Sequence, residues 1–171
     1  MEKQFLQFET SRLKLIPTNL QDAEFILELM NTPKWHQFIG DRKVYNLKQA
    51  QEYIQTKMLP LLHQRGFSNY TVILKSTNEK IGSCGLYDTE KLEGIDIGFA
   101  LLPQFENKGY GFEAAQMILE AAEKTFRLNH LSAITTQSNT ASQKLLKKLG
   151  LIEKESLQWD DETLLLFEIN F

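Results

Sequence analysis

Ile95-Asp96-Ile97-Gly98-Phe99-Ala100-Leu101-Leu102-Pro103-Gln104-Phe105-Glu106-Asn107-Lys108-Gly109-Tyr110-Gly111 is the stretch on which the fold turns. Its first half alternates, with Ile95, Ile97 and Phe99 to one side and Asp96, Gly98 and Ala100 to the other, the two-residue period of a strand that runs up to Pro103. Past a short loop the period changes. From Gly111 to Phe126, Ala114, Met117, Ile118, Ala121 and Ala122 fall on one stripe of a helix. Leu131 to Thr136 is again a strand, so the chain makes a strand–helix–strand crossover whose two strands must lie parallel.

Working outward, Tyr70–Leu74 and Ile81–Tyr87 flank the polar turn Ser76-Thr77-Asn78-Glu79 and form an antiparallel hairpin. Leu13–Ile16 is a short strand. Thr18 with Gln21 makes a capping box for a helix running through Met30, with Ala23, Ile26, Leu27 and Met30 inward. Asn46 and Gln49 repeat the signature for a helix in which Ala50, Tyr53, Ile54, Met58, Leu61 and Leu62 keep helical spacing, Pro60 kinks or ends the regular part, and Gly66 closes it. Downstream, Asn139–Leu149 is a helix ended by Gly150, and Leu151–Trp159 with Thr163–Phe171 forms a hairpin across Asp160-Asp161. The whole chain, 1–171, reads as one mixed α/β domain: a twisted, mostly antiparallel sheet of about six to seven strands flanked by about four helices.

Composition narrows the function. A formal charge of −3, from 19 Lys and Arg against 22 Asp and Glu, offers no basic field for nucleic acid or anionic lipid. The longest apolar runs, Phe99–Leu102 and Leu164–Phe167, fall far short of the roughly 20 residues that span a bilayer. Met1-Glu2-Lys3-Gln4-Phe5 opens no secretion signal and Cys84 is alone, so a cytoplasmic protein is expected. His36, His63 and His130 are scattered, and with one cysteine they give no metal-ligand spacing; no metal is expected.

Glu106-Asn107-Lys108-Gly109-Tyr110-Gly111 joins a strand end to a helix start, where unpaired N–H groups and the helix dipole favour an anion. Two glycines allow close backbone approach, Asn107 tolerates unusual backbone angles, and Lys108 adds charge. Gly109-Tyr110-Gly111-Phe112-Glu113-Ala114 formally fits the dinucleotide fingerprint G-x-G-x-x-A. That fingerprint needs a strand running straight into the first glycine and an acidic residue about 20 positions on; here Pro103 to Lys108 intervenes and Thr135-Thr136-Gln137 fills the later strand end. A pyrophosphate held by a different fold fits better.

Leu101-Leu102-Pro103, Lys108-Gly109-Tyr110-Gly111 and Glu113-Ala114 resemble the acyl-CoA-binding motif of the GNAT N-acetyltransferase superfamily. Asn139-Thr140-Ala141-Ser142 with Leu145, Lys148, Leu149 and Gly150 resembles its next motif, and Thr10-Ser11-Arg12-Leu13 resembles its ribosomal-protein N-acetyltransferase branch. The resemblance implies acetyl-CoA as acyl-donor co-substrate, with the strand carrying Phe99, Ala100, Leu101 and Leu102 splayed from its parallel neighbour to receive the pantetheine arm. It implies pyrophosphate contacts from residues 106–111 and coenzyme contacts from Asn139 and Ser142, although Asn139 reads equally as a helix cap. Glu106 departs from the superfamily's usual Gln or Arg, a change that leaves backbone donors intact. Lys144, with Lys147 and Lys148, can meet the 3′-phosphate.

The reaction so implied is transfer of an acetyl group to a primary amine by direct attack. The acceptor is a protein N-terminus or a small amine such as a polyamine, amino acid or antibiotic. The alternative is a CoA-sensing module without turnover. Asp96 is the first candidate base, acting through water; His36 and Asp41 are weaker ones. Many relatives place a tyrosine acid seven residues after the Asn, where this chain has Leu146, so the proton donor falls to Ser142. Trp35, Phe38 and Arg42, with Ile39, occupy the loop between the first two helices where the acceptor is expected. Cys84 has no activating neighbour at a readable spacing, which argues against an acyl-enzyme. A monomer or homodimer is expected.

Overall fold

In the computed structural model, which describes residues 4–171, eight strands form one sheet. They are β1 (Phe8–Glu9), β2 (Leu13–Pro17), β3 (Asn69–Leu74), β4 (Lys80–Tyr87), β5 (Asp96–Leu101), β6 (His130–Thr136), β7 (Ile152–Trp159) and β8 (Glu162–Asn170). Their order across the sheet is β1-β2-β3-β4-β5-β6-β8-β7. Every neighbouring pair is antiparallel except β5 and β6, the pair that the crossover requires to be parallel. The sheet has more strands than expected because β1 is two residues long and too short to carry a period.

Six helical segments flank it: α1 (Ala23–Met30), α2 (Pro33–Phe38), α3 (Leu47–Tyr53), α4 (Leu59–Arg65), α5 (Tyr110–Lys124) and α6 (Thr140–Lys148). The first cap lies one residue later than expected. Asn19 forms the capping box with Asp22, and a 3-10 turn over Leu20–Asp22 precedes α1. Thr18 cannot cap, because its hydroxyl is shared between Thr71 Oγ1 at 2.8 Å and the Asn69 amide at 2.8 Å. Inward positions of α1 are Ala23, Phe25, Ile26, Leu29 and Met30, while Leu27 is half-buried. In α5, Ala115 is buried and Met117 only partly.

The helix expected from Asn46 to Gly66 is α3 and α4 joined by a π turn over Ile54–Met58. Pro60 has no N–H and its ring crowds the carbonyl four residues back, so the rod widens one turn earlier and the Leu59 N–H reaches the Ile54 carbonyl. Gly66 ends it at φ 86°.

Register divides the sheet into two chemically distinct faces. Leu13, Leu15, Tyr70, Val72, Cys84, Leu86 and Ile97 share one face, all buried, against which α5 lies. The other carries Asn69 and Thr71 from β3, Ser83, Gly85 and Tyr87 from β4, Asp96 and Gly98 from β5 and Ser132 from β6. Asp22, at the head of α1, is tied to this face by an Oγ1–H donated from Thr71 at 3.1 Å and by Lys80 at 2.7 Å. A buried sheet surface this polar and this short of side-chain volume is unusual for a core and marks where a site lies.

Candidate active site

β5 and β6 share one registered pair, Asp96 with Ser132, closed by the Ser132 N–H to the Ile95 carbonyl at 3.1 Å. Beyond it the strands part. Even-numbered residues of β5 bond toward β4, as the Leu102 N–H does to the Ile81 carbonyl at 2.8 Å, so the main-chain groups of Phe99 and Leu101 face the widening gap. Phe99, Ala100 and Leu101 are partly exposed there, whereas Leu102 is buried as the strand's anchor. This is the free β-edge that the resemblance implied.

Pro103–Phe105 forms a 3-10 turn, and the Glu106 N–H closes it on the Pro103 carbonyl at 3.2 Å. The next six N–H groups, from Asn107 to Phe112, find no acceptor among the described residues. Asn107 at φ 60° and Gly109 at φ 82° are left-handed, and two left-handed residues this close together turn the main chain sharply at the start of α5, the kind of turn that groups successive N–H groups into a nest. Glu106 therefore contributes no N–H to it. Its carboxylate instead forms an ion pair with Lys34, which answers its charge and ties α2 to the loop. Lys108 Nζ lies 5.9 Å from the centre of the Phe105 ring.

The loop is braced from the N-terminal strand. Glu113 accepts from the Thr10 hydroxyl at 2.6 Å, the Arg12 N–H at 2.9 Å and Arg12 Nε at 2.7 Å. Burial pushes the Glu113 carboxyl up, but these three donors outweigh it and hold it below its usual range. Arg12 Nη1 donates to the Lys108 carbonyl at 3.0 Å, and the guanidinium lies 4.4 Å over the Tyr110 ring.

On the polar face, burial pushes the Asp96 carboxyl up to about 6, against the lowering effect of donors at Thr89, whose N–H lies 3.2 Å from Oδ1. Tyr87 stands opposite Asp96 in the β4–β5 register, and its ring lies over Gly98, where a Cβ would come within 3.0 Å of Cε2. Its hydroxyl donates to Asn69, and burial pushes its phenol well up, reinforced by nearby Cys84, Tyr53 and Asp96 and opposed by Arg42. Beside Asp96, the Ser132 hydroxyl is buried with no hydrogen-bond partner among the described residues. Sequence reading missed Tyr87, Asn69 and Ser132 because only the strand register reveals that they share this face.

Asn139 caps α6, its Oδ1 accepting the Ser142 N–H at 3.2 Å, so the cap reading holds and the amide nitrogen stays open. Ser142 is half-buried in the first turn of α6. Asp96 and Ser142 are not neighbours: Thr136, where β6 ends, lies four residues beyond the Asp96–Ser132 contact, about 13 Å along the strand. Leu146 is 1% exposed and belongs to the core. Lys147 pairs with Glu153 at 3.5 Å and Lys148 sits 4.0 Å over the Phe112 ring, while Lys144 is exposed with no ion pair among the described residues.

Trp35 and Phe38 lie on α2 rather than in a loop, a helix started by Thr32, whose Oγ1 accepts the Trp35 N–H, and by Pro33 at its first position. Trp35 packs on the core with its indole N–H buried and unpartnered among the described residues. Arg42 is exposed in the loop beyond. The weaker base candidates fare poorly: the Tyr45 hydroxyl and Lys43 N–H hold Asp41 below its usual range, and His36 Nε2 is engaged with Asn31 Oδ1 at 3.2 Å. Burial pushes the Cys84 thiol far up and away from the thiolate needed for an acyl-enzyme.

A mixed sheet opened between two parallel strands, with unpartnered main-chain amides at the head of the crossover helix, is an arrangement this chain shares with known acetyltransferases. Residues 12–152 match the family profile described as acetyltransferase (GNAT) domain, and the chain belongs to the GNAT acetyltransferase family. An uncharacterized N-acetyltransferase of Bacillus licheniformis is 31% identical over 155 residues, covering 90% of this chain and 85% of that protein. An acetyltransferase from Agrobacterium tumefaciens superposes with a TM-score of 0.84 at 22% identity, over 100% of this chain and 98% of its own. RimL, a ribosomal-protein α-N-acetyltransferase solved in complex with coenzyme A, superposes with a TM-score of 0.83 at 16% identity, over 96% and 98% of the two chains.

Proposed function

We propose that the protein transfers an acetyl group from acetyl-CoA to a primary amine, the α-amine of a protein N-terminus in the first instance, by direct attack within a ternary complex. The observation that carries this reading is the run of six unpartnered N–H groups at residues 107–112 beside an open β-edge. The nest suits a diphosphate, the main-chain groups of Phe99 and Leu101 suit the amides of the pantetheine arm, and Asn139 and Lys144 flank the far side.

A peptide α-amine has a pKa of about 7.7–8.0, against about 10.4 for lysine, so a base near 6 can drain its proton through water without strong assistance. Asp96 suits that task, Tyr87 and Arg42 are electrostatic neighbours on the same side, and Trp35 and Phe38 of α2 are the further candidates for acceptor contact. The neutral amine adds to the thioester carbonyl, main-chain N–H groups of β5 steady the oxyanion, and the C–S bond breaks. The departing thiolate, with a parent thiol near 8.5, takes the Ser142 hydroxyl proton, and the proton that the newly bonded, cationic nitrogen must lose passes through water to restore that hydroxyl.

The RimL likeness in fold favours an N-terminal α-amine over a polyamine or antibiotic. Mass spectrometry of peptides and small amines incubated with acetyl-CoA tests the proposal. An acetylated α-amine product is expected; no acylated product across the panel, alongside measurable coenzyme binding, makes the protein a sensor instead.

A further inference from the structure

Thr10-Ser11-Arg12-Leu13 lies about a hundred residues before the nest in sequence yet is wired directly to it. We propose that Arg12 is a positioning residue for the diphosphate nest, holding its N–H groups aimed inward from behind. The inference rests on the reading that this loop receives the diphosphate of CoA.

The Lys108–Gly109 peptide is trans, so the Lys108 carbonyl and the Gly109 N–H point in opposite directions. Arg12 Nη1 takes the carbonyl at 3.0 Å, which turns the Gly109 N–H toward the concave side. A guanidinium can do this only if it is itself fixed. Glu113 grips it through Nε at 2.7 Å and through the Arg12 main-chain N–H at 2.9 Å, and Glu113 is steadied in turn by the Thr10 hydroxyl, which also accepts the Leu13 N–H at 3.1 Å. Tyr110 supports the flat face of the guanidinium from the first residue of α5.

The loop and the guanidinium are packed closely enough to dictate glycine. A Cβ at Gly109 would stand 3.3 Å from Arg12 Nη2, and φ is 82° there. Charge alone does not explain the arrangement, because Glu113 offsets Arg12 within hydrogen-bond distance. What Arg12 adds is the fork: Nε binds one group while Nη1 binds another at a fixed angle, which a lysine cannot reproduce.

The test is calorimetric titration of CoA into Arg12→Gln, Arg12→Lys and Glu113→Gln, with acetyl-pantetheine, which lacks the diphosphate, as a second donor in steady-state assays. Losing one charge-assisted contact that orients a nest amide should weaken CoA binding about tenfold in both Arg12 variants. Turnover with acetyl-pantetheine should stay within about twofold of wild type, a separation that general loosening of the fold would not give. Folded Arg12 variants with wild-type CoA affinity overturn the proposal, as does full rescue by Arg12→Lys. If the Arg12 variants do not fold, Glu113→Gln decides from the other side of the brace, with the same expected loss. A wild-type protein that fails to bind CoA overturns the loop reading itself, and this inference with it.

Discussion

Asp96 is a carboxylate kept where a carboxylate is costly. Its folded state holds the proton more tightly than the unfolded chain, so its favourable contribution is complete below pH 3.8 and is lost as pH rises through about 6. Above that range, burying the charge costs on the order of 3 kcal/mol. Asp96→Asn should therefore raise the melting temperature at pH 8 and lose that advantage below about pH 4, measured by calorimetric scans across pH. The same substitution should remove the limb of kcat/KM that rises near pH 6 and lower the rate by about a hundredfold, the usual scale for a general base. A melting gain without a rate loss would make Asp96 a structural oddity. For Ser142→Ala, kcat should fall while the KM for acetyl-CoA holds, since the Asn139 cap uses the Ser142 N–H and not its hydroxyl. Gly109→Asp should abolish CoA binding by titration, because it strains a left-handed position and drives a side chain into the Arg12 guanidinium that braces the loop.

At the scale of elements, the ion pair between Lys34 and Glu106 joins α2 to the loop that ends β5. Exposed pairs add little stability, so its effect is on order within the site. CoA should slow hydrogen exchange at the amides of Lys34–Phe38 in the wild type and lose that effect in Lys34→Ala. Helix α2 was not legible because six residues show no apolar period; Thr32-Pro33, a cap followed by proline, was the available signal. The strands from Leu13 to Phe171 were legible from alternation, and the crossover fixed which pair runs parallel. The nest was legible from Gly109 and Gly111, because glycine spacing reports backbone shape directly. The polar sheet face was not, since Tyr87 and Ser132 meet Asp96 only through strand pairing.

Across the whole molecule, the sheet is two partial sheets. Strands β1 to β5 form one, β6, β8 and β7 the other, and the ladder between them is a single rung at Asp96 and Ser132. Helix α5 crosses from one to the other, and Lys91 of the β4–β5 loop reaches Asp160 at 3.5 Å and the Trp159 ring at 4.9 Å in the β7–β8 turn. A ligand that fills the gap bonds to both. CoA at about a hundred times its Kd should raise stability by about 2.7 kcal/mol, read as a melting shift of several degrees. Amides of β6 should gain exchange protection even where no coenzyme atom touches them.

That interrupted ladder also bears on how such a molecule changes over generations. Beyond the one rung, β6, β8 and β7 keep register only with each other, so an added residue after Thr136 can re-aim α6 while the strands that bury Asp96 stay where they are. Natural drift can then alter one half of the molecule without disturbing the other, along a seam that a single rung holds.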